Sequence, residues 1–336
     1  MMKKGWKGLL VGSFASMLML AGCGSTESTG DENKDAGTGE EKTYKIGVTQ
    51  IVEHPSLDAA VDGFKKALED KGLTVEYDDQ NAQNDQNNNQ TIANNFVGDK
   101  VDLIFANSTP SALSALNATS EIPIVFTSVT DPVIAGLVES MEEPGENITG
   151  TTDMHPDAIP NTINFIKENF PETKKIGMVY NAGEQNSVAQ IDEVEKALEG
   201  TGMTTELVSV STSAEVKQAT ESLLGKVEVL YIITDNTVVS ALESVIQVAN
   251  DEDLPLFVGE LDSVARGGFA AYGFDYFDIG YEAGEMAAQI LAGEKEVSEL
   301  PVQYPQNLKL LINKTSAEDM GITVKSEWDD IAEYVE

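Results

Sequence analysis

The sequence predicts two similar α/β lobes built around parallel sheets, and three observations carry that expectation. Short apolar segments suited to buried strands alternate with helix-spaced segments through both halves of the chain. "KIGVTQIVEHPSLDAAVDGFKKALEDKGLTVE" (45–76) returns as "KIGMVYNAGEQNSVAQIDEVEKALEGTGMTTE" (175–206), offset by 130, with 12 of 32 residues identical. Two more blocks follow in the same order. "VDLIFANSTPSALSAL" (101–116) aligns without gaps with "VEVLYIITDNTVVSAL" (227–242), and "IPIVFTSVTDPVIAGL" (122–137) aligns with "LPLFVGELDSVARGGF" (254–269). The offsets drift to 126 and 132, as loop insertions between matched units would cause.

Each element of the first half has its own reason. "YKIGVTQIV" is an apolar strand, and "SLDAAVDGFKKALEDKG" sets Leu57, Ala60, Val61, Phe64, Ala67 and Leu68 at helical spacing before Gly72 stops it. "LTVEYDDQ" is a strand; "NDQNNNQTIANNFVGDK" is a polar-faced helix anchored by Ile92, Phe96 and Val97. "VDLIFANS" is a buried strand, "TPSALSALNAT" a helix with Pro110 near its first turn, and "IPIVFTSV" a further strand. Such alternation implies right-handed crossovers and Rossmann-like lobes with helices on both sheet faces.

The front of the chain belongs to targeting. "MMKKGWKGLLVGSFASMLMLAGC" has Lys3, Lys4 and Lys7, then an apolar run, then Leu20-Ala21-Gly22-Cys23. That is the layout of a secretory signal (1–22) ending in a bacterial lipobox, with Cys23, the sole cysteine, as the lipidated residue. Residues 23–43, rich in Gly, Ser, Thr and acid, read as a flexible tether. The expected location is the outer face of the bacterial cytoplasmic membrane, the lipid being the sole attachment. With 57 acidic against 21 basic residues, a formal charge of −36, no basic patch exists for nucleic acid, and the globule is expected to be a monomer.

Function should lie where the strand ends of the two lobes face each other, since ligands of open parallel sheets collect beyond the carboxyl ends of the strands. The repeat pairs the loops that meet there: "EHPS" (53–56) with "GEQNS" (183–187), "NSTPSA" (107–112) with "TDNTVV" (234–239), and "TSVTDP" (127–132) with "GELDSV" (259–264). First-lobe loops offer Ser108, Thr109, Ser111, Thr127 and Ser128 near helix N-termini, which suit a carboxylate. Second-lobe loops offer Glu184, Asp235, Glu260 and Asp262, which suit an ammonium, with Asn186, Ser187 and Asn236 beside them. The alternative for Ser108, Thr109, Ser128 and Asp235 is helix capping. His54 follows the first strand, and Tyr180, Tyr272, Phe274 and Tyr276 could supply an aromatic platform or simply pack. No G-x-G-x-x-G follows the first strand, no G-x-S-x-G occurs, and no Cys/His cluster fits a metal, so neither an enzyme nor a cofactor is expected.

The motifs "VEHPSLDAAVDGFKKAL" (52–68), "DLIFANSTPSAL" (102–113), "PIVFTSVTDPVIAGLV" (123–138), "NITGTTD" (147–153), "IGMVYNAGEQNS" (176–187), "YIITDNTVVSAL" (231–242) and "YGFDYFDIGYEAG" (272–284) together resemble the substrate-binding lipoproteins of ABC importers, in the tryptophan/tyrosine subgroup. The resemblance implies a type I periplasmic-binding-protein fold with two lobes joined by a three-strand hinge. The lobes are expected at 44–150 plus about 276–305, and at 151–275 plus about 306–336. Asp153 and Asp275 fall at the first two crossings, where both could face the cleft. It further implies a free aromatic amino acid as ligand and a membrane permease with its cytoplasmic ATPase as partner. A nucleoside or sugar ligand, or a sensor role, is the alternative.

Overall fold

The computed structural model describes residues 42–336. The signal, Cys23 and the tether as far as residue 41 lie outside the described residues.

The first sheet is built from β1 (Thr43–Gln50), β2 (Thr74–Asn81), β3 (Leu103–Asn107), β4 (Ile124–Val129) and β5 (Ile148–Thr152), in spatial order β2-β1-β3-β4-β5, all parallel. Its helices are α1 (Pro55–Asp70), α2 (Gln86–Asp99) and α3 (Thr109–Ala118). Alternate strand residues face opposite ways: Ile46, Val48, Leu103, Phe105 and Val125 pack with Phe64 and Leu68 of α1, whereas Ile104, Ala106, Ile124 and Phe126 pack with Phe96 of α2 and Ala112 of α3. Both faces are buried, which is why these strands are apolar throughout rather than alternating.

The second sheet repeats the plan. After α4 (Ala158–Asn169) come β6 (Lys175–Asn181), α5 (Gln185–Leu198), β7 (Thr204–Val210), α6 (Val216–Glu221), β8 (Val229–Ile232), α7 (Asn236–Val239), α8 (Leu242–Asp251), β9 (Leu256–Val258), α9 (Leu261–Ala265) and β10 (Ala270–Gly273). The order β7-β6-β8-β9-β10 reproduces that of the first sheet strand for strand. The duplication reaches individual contacts. The Lys45 N–H donates to Asp102 at 2.7 Å, and the Lys175 N–H donates to Glu228 at 2.8 Å. In both sheets the repeated lysine lies in register with the repeated glutamate, Lys45 with Glu76 and Lys175 with Glu206.

The chain passes between the lobes three times. It leaves the first sheet after β5 for α4, returns after β10 into α10 (Tyr276–Leu291), and leaves again beyond Gln303, which bridges Thr151, to form β11 (Lys309–Asn313) and, after α11 (Lys314–Asp319), β12 (Ala332–Val335). The lobes are parallel as expected, and the strand added after the third crossing, β11, runs antiparallel to β10 because it enters the second sheet from the hinge side. Among the described residues no helix is long and apolar enough to cross a membrane.

α10 is bound to the first lobe by backbone-close packing on α1. A Cβ at Gly280 would lie 2.0 Å from the Ala60 carbonyl oxygen, one at Gly63 2.1 Å from that of Phe277, and one at Gly284 2.6 Å from Ala67 Cβ. Glycine is required there because the helices touch main chain to main chain.

Candidate functional site

The C-terminal ends of β1, β3 and β4 face those of β6, β8 and β9, and side chains bond directly across the divide. Ser56 at the start of α1 donates to Glu260 Oε2 at 2.8 Å, and Asn84 donates to Thr237 Oγ1 at 2.7 Å. Gln190 reaches Thr130 more loosely, at 3.5 Å.

On the first-lobe wall, Ser108 and Thr109 begin α3, and Ser128 ends β4. Ser108 caps α3 by accepting from the Ser111 N–H and holds φ at 114°, while Ser128 sits at φ 54°. Both are unusual conformations for residues with a Cβ, and such strain collects at functional sites. The Thr109 and Ser128 hydroxyls are buried with no hydrogen-bond partner, and neither ring nitrogen of buried His54 makes a hydrogen bond of good geometry. Burial first, and the charge of Arg266 second, push His54 down to about 4, so it is neutral at physiological pH. Buried groups of this kind are nearly always paired, and all three belong to segments at the C-terminal ends of first-sheet strands. Two residues of the expected set turn elsewhere. Ser111 is occupied by Ser108 and Asn89, and Thr127 shares its hydroxyl with Thr151 at 2.8 Å inside the sheet.

The second-lobe acids divide into two kinds. Asp235 is wholly engaged: one oxygen takes the Asn181 N–H and the Ser187 hydroxyl, both at 2.6 Å, and the other takes the Val238 N–H at 2.8 Å. Glu184 receives the Thr237 hydroxyl and N–H, the Asn236 N–H and the Asn236 amide, at 2.5–3.3 Å. These two carboxylates bind the start of α7, and the capping alternative describes Asp235. Burial, followed by the charge of Glu184, raises Asp235 above the usual carboxylate range. Asn186 donates into the same network, while its Oδ1 is buried without a partner.

Glu260 and Asp153 differ. Glu260 Oε2 accepts from Ser56 and Ser263, whereas no hydrogen bond reaches Oε1 among the described residues. Asp153, at the first crossing, accepts the Thr130 hydroxyl at 3.0 Å and the Tyr276 hydroxyl at 2.9 Å. Burial raises Glu260 to about 7 and Asp153 to about 6, and the charge of Glu260 adds to the shift at Asp153. Among the described residues every ion pair uses other carboxylates, and Arg266, which tempers Glu260, is itself clasped by Glu243. Neither Asp153 nor Glu260 therefore has a paired cation among the described residues, and burial makes each costly to ionise.

Beside them Phe274 stacks on Tyr276, with ring centroids 5.5 Å apart and planes at 19°. Asp275, between these rings in sequence, points the other way: it is exposed and caps α10 through the Phe277 N–H. Tyr180 is half-buried on the second-lobe core, away from the crossings. Ser56, Thr130 and Ser263 lie in the paired loops but are not among the candidate residues, and Gln190 lies outside those loops. The histidine–proline–serine order before α1 is the one available signal, since Pro55 at the first helical position fixes Ser56 in the first turn. A groove of about 580 Å³, lined by Val133, Met141, Met154, Asn164, Lys196 and Tyr304, runs along the flank of the crossings and shares only Thr130 with the polar centre. Among the described residues no group of three or more His, Cys, Asp or Glu side chains could hold a metal ion.

Residues 45–335 match the family described as ABC transporter substrate binding protein. A tyrosine-binding protein of Clostridioides difficile (strain R20291) is 44% identical over 310 residues, 91% of this chain and 89% of that protein. An ABC domain from Streptococcus pneumonia, solved in complex with L-Trp, has a TM-score of 0.83 at 31% identity, covering 88% of this chain and 100% of that one. A ligand-free, open substrate binding protein with adhesive properties from Clostridium difficile scores 0.65 despite 41% identity, covering 87% and 99%. Fold, duplicated topology and matched length agree: the chain belongs to the ABC transporter substrate-binding protein family and has the type I periplasmic-binding-protein fold.

Proposed function

We propose that the cleft closes on a free α-amino acid with an aromatic side chain and presents it to a membrane permease driven by a cytoplasmic ATPase. The observation that carries this reading is that two buried carboxylates without a paired cation, Asp153 at the first crossing and Glu260 after β9, occur together with the partnerless hydroxyls of Thr109 and Ser128 at the ends of first-sheet strands. The acids receive the ligand ammonium. The first turn of α3 and the two hydroxyls receive its carboxylate, aided by the helix N-terminus. Phe274 and Tyr276 form the apolar wall beside the ammonium. The tyrosine-binding name of one relative and the L-Trp bound in another support the aromatic assignment. His54, neutral and buried, suits an uncharged part of the ligand, and Asn186 completes the second-lobe side.

Calorimetry on the mature chain with L-Trp, L-Tyr and L-Phe, with their carboxamides, and with a nucleoside and sugar panel tests the reading. At least one aromatic amino acid should bind, with its carboxamide at least about 100-fold weaker, the loss expected when a buried charge loses its counterpart. Equal affinity for acid and amide, or binding confined to nucleosides or sugars, would remove the zwitterion assignment.

The lipidation reading is a proposal of the same kind. Cys23 carries the lipid that holds the protein at the outer membrane face, and more than one acyl chain gives firm anchoring. Cys23→Ala should move the protein from the membrane pellet to the soluble fraction and abolish labelling by a palmitate analogue. Retention of the label would refute it.

A further inference from the structure

One interlobe bond ends not on an acid but on Thr237, in the first turn of α7. Asn84 sits on the loop between β2 and α2, where Gln83 and Asn84 adopt left-handed conformations in succession, with φ of 54° and 58°. Two consecutive residues of this kind are uncommon away from glycine, and the loop is held by the Asn84 N–H donating to the Ile51 carbonyl at 2.7 Å and the Asp85 N–H to that of Ala82 at 3.1 Å. The result aims the Asn84 amide across the divide at Thr237 Oγ1, 2.7 Å away. Thr237 is fully buried and already set: its hydroxyl donates to Glu184 at 2.8 Å and accepts from Asn181 Nδ2 at 2.9 Å. Asn84 thus completes a hydroxyl whose other two bonds are internal to the second lobe.

We propose that Asn84 and Thr237 form a closure latch that stabilises the closed lobes without touching ligand, so that Asn84 is a positioning residue for every ligand alike. The inference goes beyond the amino-acid reading, because the latch acts on the lobes whatever the cleft holds. Affinity for a two-lobed binder scales with the population of the binding-competent form. A change that lowers this population weakens all ligands by one common factor and leaves their ranking intact. Ser56 and Glu260 do not share this property, because Glu260 also faces the proposed ligand.

The test uses Asn84→Gly, which keeps the left-handed backbone accessible while removing the amide, with Asn84→Asp as the second variant. Asn84→Asp would set a carboxylate oxygen against Thr237, whose single proton is already given to Glu184. Asn84→Gly should weaken L-Trp, L-Tyr and L-Phe by the same factor, about fivefold, the loss given by one hydrogen bond of ordinary net strength. Asn84→Asp should weaken them further and equally. X-ray scattering from the unliganded variants should show a larger radius of gyration than wild type; this arm holds even if the ligand class is wrong. A factor that differs between ligands would make Asn84 a contact residue and overturn the latch. Unchanged affinity together with unchanged scattering would also overturn it.

Discussion

Glu260→Gln should weaken binding of a free aromatic amino acid by about 30-fold, or ~2 kcal/mol, while leaving the fold intact. Glutamine preserves the shape and can still accept from Ser56 and Ser263 through one oxygen, so the interlobe bond at 2.8 Å survives. What disappears is the negative charge whose Oε1 has no protein donor. The same change at Asp235 is the contrast, because all three of its donors are internal and its loss should lower Tm rather than change which ligands bind. Calorimetry and thermal melts on the two variants separate these outcomes; an unaltered affinity in Glu260→Gln would remove the ammonium assignment.

The raised acids add a pH signature. Glu260 at about 7 and Asp153 at about 6 are ionised only above those values, and an ammonium ligand needs them ionised. Affinity should therefore fall as pH drops from 7.5 to 5.5, with protons released on binding. The unliganded protein should behave in the opposite sense. Because these acids are harder to ionise folded than unfolded, their contribution to the folded state is full below about pH 4, the ordinary carboxylate range, and is lost as pH rises from there through 6 and 7. Titrations in buffers of differing ionisation enthalpy, beside melts over the same range, check both signs.

The second large effect is structural. Gly280→Val should destabilise the protein by about 3 kcal/mol, roughly 8 °C in Tm, or prevent folding of the first lobe. The atom in the way is the Ala60 carbonyl oxygen, 2.0 Å from where a Cβ would stand, and main chain inside two packed helices cannot rotate aside as a side chain can. Gly98→Ala, with nothing within 4 Å, is the matched control and should melt close to wild type. A Gly280→Val protein with wild-type Tm would show that α1 and α10 are less tightly joined than described.

The lobes were legible because strand and helix periodicities are local properties and because the chain states its plan twice. Which loops meet was less legible: the repeat pairs 53–56 with 183–187, yet Ser56 bonds to Glu260 of 259–264, and Thr237 of 234–239 bonds to Asn84, outside the paired loops. What each loop residue does there was harder still to read. An aspartate before a short helix reads the same whether it caps, as Asp235 does, or binds ligand. Asp275 sits one residue from Phe274 and Tyr276 yet faces solvent, because a helix start reverses direction within two residues. Ser56, Thr130 and Gln190 act by reaching across the divide, and a contact made at a distance of 60 or 204 residues leaves no periodicity to detect. β11 and β12 escaped for a similar reason: their partner is chosen by the third crossing, not by their own pattern.

The repeat has one more consequence. At offset 132 Ser128 corresponds to Glu260, at 126 Thr109 corresponds to Asp235, and at 130 His54 corresponds to Glu184. Three equivalent sites are uncharged in one copy and anionic in the other. Two of the anionic members, Glu184 and Asp235, are taken up at the start of α7, which leaves Glu260 as the one of the three with an oxygen that takes no hydrogen bond among the described residues. On the amino-acid reading proposed above, a dipolar guest needs Ser128 from one copy and Glu260 from the other, so filling and shutting would be a single event, readable from outside as a change of outline.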